Sequence, residues 1–266
     1  MQFLRYPGGK VKLIYFIEKH LPMRDEIESN YIEPFVGGGS VFLKLKPKKA
    51  ILADINSNLI ELYSGIKKFP EEVWNTYVSF PEGKDTYYYI RDSDYKHKHL
   101  SYRAARTLYL NRTCFKGMWR HSSKGNFNIG YGGEERRKNI TKENILDISK
   151  ILKKTKLIVC DFEILLKQVN DGDFIFLDPP YKPGKKELNE NHYDFCKFNF
   201  ADQIRMSKIL KSISNTKNVK WIMTNSDHKD IRALYKNFKI EKIPKGVSNQ
   251  IGIHTFDSKE ILISNL

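Results

Sequence analysis

Seven short apolar runs, broken once by a long basic segment, restrict this chain to a small set of folds. They lie at 31–35, 50–53, 156–160, 173–177, 219–224, 238–243 and 260–264. Each has strand length, and most are apolar nearly throughout, as in strands buried on both faces. Helical spacing appears around them, first at Leu13, Ile14, Ile17 and Leu21 ahead of Pro22, then over 41–45, 162–169 and 201–214. Gly37-Gly38-Gly39-Ser40 follows the first run, and Asp54 ends the second. Strand, glycine loop, helix, strand and acid form the first half of a doubly wound, mostly parallel α/β sheet. The pattern lapses over about 90 residues and returns at Lys156. The expected organisation is one sheet built from 1–56 and 144–266, with 57–143 inserted as a separate module.

Charge separates the insert from the rest. The chain carries 46 Lys and Arg against 31 Asp and Glu, a net +15. Between Lys84 and Lys142 there are 14 cations against 5 acids, so nine of those fifteen charges fall in 59 residues. Ten of the 34 aromatics share that window. Cations interleaved with aromatic rings suit phosphate contact combined with base stacking. No stretch approaches the roughly 20 apolar residues of a membrane span. The N-terminus has no secretory-signal pattern, so the cytoplasm is the expected compartment. Cys114, Cys160 and Cys196 are too few and too scattered for a disulfide framework or a zinc knuckle.

Asp178-Pro179-Pro180-Tyr181 follows Phe174-Ile175-Phe176-Leu177. Open α/β sheets place their chemistry at such strand exits. Each proline fixes its own φ and restricts the residue before it, which stiffens the exit. A carboxylate, a carbonyl outside the sheet ladder and an aromatic ring are thereby held at one edge. An exocyclic amine suits this set, donating to Asp178 and to the Pro179 carbonyl while its ring stacks on Tyr181. A plain proline-rich turn is the other reading, and these four residues alone do not choose between them. Upstream, Gly37 to Gly39 let backbone approach a ligand with no Cβ in the way. Asp54, fifteen residues past Gly39, suits the two hydroxyls of a ribose. The GxGxxG of dinucleotide sites and the Walker lysine are both missing, which argues against NAD and against ATP hydrolysis.

Arg5-Tyr6-Pro7-Gly8-Gly9-Lys10, Glu33-Pro34-Phe35-Val36-Gly37-Gly38-Gly39-Ser40 and Asp178-Pro179-Pro180-Tyr181 resemble three motifs of the Dam-type (D12 class) DNA adenine-N6 methyltransferases. Their order is that of the class in which target recognition precedes the catalytic tetrapeptide. The similarity runs on to a closing segment, Lys259-Glu260-Ile261-Leu262-Ile263-Ser264-Asn265. The resemblance implies a seven-stranded S-adenosylmethionine-dependent methyltransferase fold. Its catalytic domain would be 1–56 and 144–266, and 57–143 a mainly helical recognition domain carrying a β-hairpin. It implies S-adenosyl-L-methionine as donor, S-adenosyl-L-homocysteine as product, and no metal. Tyr6 and Lys10 then lie beside the methionine end, Asp54 on the ribose, and Asp161 and Phe162 against the cofactor adenine. Asp178 falls between cofactor and substrate. Tyr6 as a packing ring and Lys10 as an ordinary first-turn lysine remain the simpler alternatives.

Adenine's amino nitrogen is a poor nucleophile because its lone pair is delocalised into the ring. Hydrogen bonds from its N–H groups to Asp178 and the Pro179 carbonyl favour attack as charge develops. Stacking on Tyr181 repays part of the cost of turning the base out of the duplex. Cytosine-C5 chemistry is excluded, because it needs a cysteine nucleophile, typically after proline in that family, and none of the three cysteines follows a proline. Cytosine-N4 methylation and an inactive scaffold serving as a DNA-binding regulator are the alternatives.

In the insert, 101–110 has helical character, and the glycines and polar run after it predict a hairpin able to enter the major groove. The stretch from Asn111 to Asn128 is similar to the DNA-reading hairpin of the Dam family. That match makes Arg120 the base-reading residue, with Phe115, Lys116 and Met118 against neighbouring bases. Arg5 adds a contact from the N-terminal motif, and Arg112 and Asn126 complete the DNA-binding set. GATC is the target this implies, although Lys116 stands where the family carries Asn. Phe115, Met118 and Trp119 could equally form the insert's small core. Double-stranded DNA is the expected partner, with no membrane. A monomer is expected, and any cognate restriction endonuclease would act separately.

Overall fold

The computed structural model describes residues 3–6, 8–122, 126–181, 198–244 and 260–266. The seven apolar runs become β1 (Tyr31–Glu33), β2 (Ala50–Asp54), β3 (Thr155–Val159), β4 (Phe174–Leu177), β5 (Lys220–Ser226), β6 (Lys239–Lys242) and β7 (Glu260–Ser264). They form one sheet in the order β3-β2-β1-β4-β5-β7-β6. The first five are mutually parallel, and β7 enters antiparallel to both β5 and β6. From β1 the chain moves outward to β3, then returns to lay β4 on the other side of β1. That reversal opens a crevice beyond the carboxyl ends of β1 and β4, where ligands of open α/β sheets bind.

Alternation along the strands divides the core in two. Tyr31, Phe174, Phe176, Ile222 and Leu262 face one hydrophobic cluster. Their neighbours Ile32, Ile175, Leu177, Trp221, Met223, Ile261 and Ile263 face the other. A one-residue slip in pairing would exchange the two sets, so burial on both faces fixes the register. Each fully buried Leu, Ile or Phe adds about 1.5–3 kcal/mol relative to exposure.

Ten helices surround the sheet within the described residues. α1 (Ile14–Glu18) and α2 (Ser40–Leu45) belong to the first part of the chain. α3 (Ser57–Lys68), α4 (Pro70–Ser79), α5 (Lys84–Asp92), α6 (Leu100–Thr113) and α7 (Lys142–Leu152) all lie between β2 and β3. α8 (Phe162–Leu166), α9 (Phe200–Thr216) and α10 (Lys229–Leu234) follow. The second cluster packs under α8, α9 and α10 through Leu165, Met206, Leu210 and Ile231. The first continues from the sheet into the insert, through Leu59 and Leu62 of α3 to Ala105 and Leu108 of α6. Local signals agree with the boundaries: Asn56 caps α3, and capping boxes start α7 (Thr141 with Asn144) and α9 (Asn199 with Asp202).

Two expectations are corrected. The helix expected from the spacing of Leu13, Ile14, Ile17 and Leu21 is a 3-10 turn at Lys10–Lys12 followed by the five-residue α1. Lys10 is buried at the start of that turn, on the same side as Leu13, Ile14 and Ile17 of the helical spacing. The first strand stops at Glu33, because Pro34 has no N–H for the ladder.

Candidate active site

The crevice at the β1/β4 switch point is a cavity of about 290 Å³. Its walls come from the ends of β1, β2, β3 and β4, from the N-terminal segment and from the insert. Tyr6, Lys10, Gly37, Gly39, Asp54, Asp161, Phe162, Asp178, Pro179 and Tyr181 all line it. These positions span the chain from residue 6 to residue 181, and the sheet topology alone brings them together.

The glycine loop is clamped from two sides. Gly37 N–H donates to Asp54 Oδ2 (2.9 Å), and Tyr63 of α3 donates its hydroxyl to the Gly37 carbonyl (2.9 Å). Gly37 has φ +45°, and a Cβ there would sit 3.0 Å from the Tyr6 ring. Gly39 has φ +63°, and a Cβ there would lie 2.9 Å from the Tyr63 hydroxyl oxygen. The second oxygen of Asp54 accepts from Asn56 N–H at 2.9 Å. Burial raises the Asp54 carboxyl to about 6, against the pull of these backbone donors. Glu33, at the end of β1, also faces the cavity and accepts from the Tyr31 hydroxyl at 2.8 Å. Its burial pushes the carboxyl well above the usual range.

At the end of β3, Asp161 caps α8 through Oδ1, which accepts from Glu163 N–H at 2.9 Å. Its Oδ2 accepts from Arg205, whose guanidinium also reaches Glu163 and Asp202 and lies 4.5 Å over the Phe162 ring. Phe35, Phe162 and Phe198 form an aromatic wall with centroids 5.4–5.9 Å apart. An aromatic base fits such a wall by stacking.

Opposite the wall, Lys10 Nζ lies 2.9 Å from Asp178 Oδ1, 2.8 Å from the Gly8 carbonyl and 3.9 Å from Glu260 Oε2. The Tyr181 hydroxyl is 3.2 Å from both Asp178 Oδ1 and Glu260 Oε2, and Lys10 sits 4.7 Å over its ring. Lys10 is therefore a buried counter-ion for the strand-exit carboxylate. Its role as an ordinary first-turn lysine does not survive this geometry.

The recognition segment closes the remaining side. Cys114 bridges Tyr131 and His121 bridges Phe127, both antiparallel. Ser122 N–H donates to the Asn126 carbonyl, and Asn128 N–H donates to that of Arg120. The hairpin is thus present as short antiparallel pairing, and its tip, 123–125, lies outside the described residues, as do Pro7 and Lys259. Side chains alternate across it. Trp119, His121, Phe127 and Ile129 are buried, whereas Arg120, Ser122, Asn126 and Asn128 are not. Trp119 and His121 line the cavity, and Trp119 packs 5.8 Å from the Tyr6 ring. The Trp119 indole N–H is buried with no hydrogen-bond partner among the described residues. Burial, with help from Arg106, lowers the His121 imidazole to about 4, so it is neutral at pH 7.

Arg120, on the outer face, donates through Nε to Asn128 Oδ1 at 3.0 Å. Phe115 and Lys116 are exposed, Met118 is half-buried, and Asn126 is exposed. Arg5 is anchored through its backbone by Asn111 and reaches the Cys114 carbonyl. Arg112 departs from the expectation of a DNA contact. It is 3% exposed and donates to the Arg136 carbonyl, so it braces the insert from inside.

Several wall residues escaped the sequence reading. Glu33 and Phe35 sit within a quoted motif but carry no role in the sequence reading. Behind the wall, Thr224 of β5 contacts Asp178 and Glu260 of β7 contacts Tyr181, each a polar residue in an otherwise apolar run. Phe198 offered no local signal. Among the described residues no group of three or more His, Cys, Asp or Glu side chains is arranged to hold a metal ion, and no helix is long and apolar enough to cross a membrane.

Comparison with known proteins agrees with this geometry. The family profile described as D12 class N6 adenine-specific DNA methyltransferase matches residues 6–248. A type II methyltransferase of Methanocaldococcus jannaschii, M.MjaIII, is 34% identical, with 99% of this chain and 98% of the relative covered. A second type II methyltransferase, M1.LlaDCHI of Lactococcus lactis subsp. cremoris, is also 34% identical, covering 91% and 86%. The DNA adenine methylase of Escherichia coli is 27% identical, covering 94% and 90%.

Proposed function

The chain belongs to the D12 class of N6 adenine-specific DNA methyltransferases, and on that premise we propose that it methylates the adenine of GATC in duplex DNA, by direct in-line transfer to a base turned out of the helix. The observation that carries this reading is the single cleft in which Asp178, Pro179 and Tyr181 face the glycine loop and Asp54. An amine acceptor and a nucleoside cradle share one cavity.

Members of this family use S-adenosylmethionine, and the residues present fit it. Glycines keep the loop open where any Cβ would meet Tyr6 or Tyr63, the Phe162 wall offers stacking, and the buried Trp119 N–H has no acceptor among the described residues. When bound, this donor supplies a methyl group made electrophilic by a sulfonium. Asp54 would take the ribose hydroxyls, Tyr6 and Lys10 the methionine end, and Asp161 and Phe162 the adenine. Asp178 and the Pro179 carbonyl would hold the two N–H groups of the target amine, and Tyr181 would stack on its ring. As the C–N bond would form and the methyl–sulfur bond break, leaving a neutral thioether, the nitrogen would become positive, and Asp178 would stabilise that charge until one proton passes to the carboxylate or to solvent. No covalent enzyme intermediate is needed.

Asp54 gives this account a pH signature. Ribose hydroxyls need an ionised acceptor, so cofactor affinity should be flat above about pH 6 and weaken about tenfold per pH unit below it. Titration calorimetry across pH checks this, and Asp54→Asn should flatten the profile. An unchanged slope in that variant removes Asp54 from the role. The same raised value has a stability consequence: ionising a buried Asp54 costs stability as pH rises from 3.8 to about 6, on the order of 3 kcal/mol when complete.

Target choice is tested by mapping methylated adenines on random-sequence duplexes. Methylation confined to GATC supports the reading, and a different site replaces it. Arg120→Ala should relax the preference at one guanine by about 1–3 kcal/mol, with general affinity little changed. Uniform weakening on all sequences would instead make Arg120 a phosphate contact.

A further inference from the structure

The oxygens of Asp178 have unequal surroundings. Three donors converge on Oδ1: Thr224 Oγ1 at 2.7 Å, Lys10 Nζ at 2.9 Å and the Tyr181 hydroxyl at 3.2 Å. Oδ2 has no hydrogen-bond partner among the described residues. The donors also differ in how firmly they are held. Lys10 divides its ammonium among Gly8, Asp178 and Glu260. Tyr181 stands on the loop after β4 and shares its hydroxyl with Glu260. Thr224 is fixed by the sheet.

That fixation follows from register. β5 is hydrogen-bonded to β4 on one side and to β7 on the other, with Met223 opposite Leu177. Thr224 is the next residue after Met223, as Asp178 is after Leu177, so the two side chains leave adjacent strands together. Thr224 is fully buried, and β-branching restricts its χ1. The Leu177 carbonyl is 3.5 Å away and the Tyr181 hydroxyl oxygen is also within reach, but the carboxylate oxygen at 2.7 Å is close and charged and so is the better partner for the hydroxyl proton.

We propose that Thr224 is a positioning residue for methyl transfer, its hydroxyl pinning Asp178 Oδ1 so that Oδ2 is the oxygen that receives the N–H of the substrate amine. The inference rests on the reading of Asp178 as the amine acceptor. The terminal torsion of a carboxylate is broad and two-fold, so an unpinned Asp178 would wander through orientations in which neither oxygen meets the amine. In-line transfer is sensitive to such misplacement. Lys10 neutralises the carboxylate without setting its plane, and Tyr181 has a second task at the base, which leaves Thr224 as the orienting contact.

The test is single-turnover methyl transfer to duplex DNA by Thr224→Val, Thr224→Cys and Thr224→Ser, with cofactor affinity, DNA affinity and melting temperature measured alongside. Valine keeps the shape and removes the donor, cysteine substitutes a weak donor, and serine keeps the hydroxyl. Thr224→Val should slow the chemical step by about ten- to a hundredfold, with both affinities within about threefold of wild type. Thr224→Ser should stay within about threefold of wild type, and Thr224→Cys should fall between. A valine variant as fast as wild type, or a serine variant as slow as valine, overturns the proposal. If valine proves too unstable to assay, the serine and cysteine variants decide, and equal rates for those two overturn it. Failure of the wild-type chain to methylate any duplex would instead remove the proposed function on which this rests.

Discussion

Asp178→Ala should lower the single-turnover rate of methyl transfer by at least about a thousandfold while duplex affinity stays within about threefold of wild type. The carboxylate is the charged acceptor at the strand exit, and its stabilising effect grows only as the amine nitrogen becomes positive. Its loss should therefore fall on the chemical step and spare binding. The substitution has a second consequence. Lys10 is 4% exposed, and without Asp178 it keeps, among the described residues, the Gly8 carbonyl, the Tyr181 ring and a Glu260 oxygen 3.9 Å away. Stranding a buried ammonium costs about 3–5 kcal/mol when nothing replaces the partner, so the alanine variant should also melt earlier. Asp178→Asn keeps an oxygen for Lys10 and Thr224 and should be the more stable of the two, still with a large rate loss. Turnover near wild type in either variant refutes the role assigned to Asp178.

Gly39→Val should abolish measurable cofactor binding, a loss of at least about a hundredfold, while leaving most of the fold intact. The residue has φ +63°, where a β-branched side chain is strained by about 1–3 kcal/mol. The added Cβ would lie 2.9 Å from the Tyr63 hydroxyl oxygen, which holds the Gly37 carbonyl. Tyr63 is fully buried and has little room to retreat. The loop must move instead, and Gly37 is the residue whose N–H orients Asp54. Calorimetric titration with the cofactor measures the loss, and circular dichroism separates it from unfolding. Normal affinity in a folded Gly39→Val protein would show that this loop does not cradle the ligand.

Local sequence carried much of the site because its key groups sit at strand ends, where a polar residue after an apolar run is visible without a structure. Asp54, Asp161 and Asp178 follow that rule. The doubly wound class of the sheet was also legible, since glycine loop, helix and acid occur in sequence. Contacts between distant segments were not legible. Lys10 meets Asp178 across 168 residues, and the cost of burying the lysine is offset only once the sheet has formed. Thr224 looked like any threonine at the end of a buried strand, and its meaning comes from pairing register with β4. Arg112 was misread for the same reason. A cation in a basic segment suggests phosphate, and nothing nearby in sequence reveals that the Arg136 carbonyl waits for it inside. Period-two alternation did contain the answer for Trp119, since in a hairpin it must face opposite to Arg120.

The most direct test of the central claim is the identity of the product. Duplexes containing GATC should be incubated with methyl-labelled S-adenosylmethionine, digested to nucleosides and separated. Label in N6-methyldeoxyadenosine, lost with Asp178→Asn, is the predicted result. Label in methylated cytosine, or bound cofactor with no transfer to any duplex, would contradict the account.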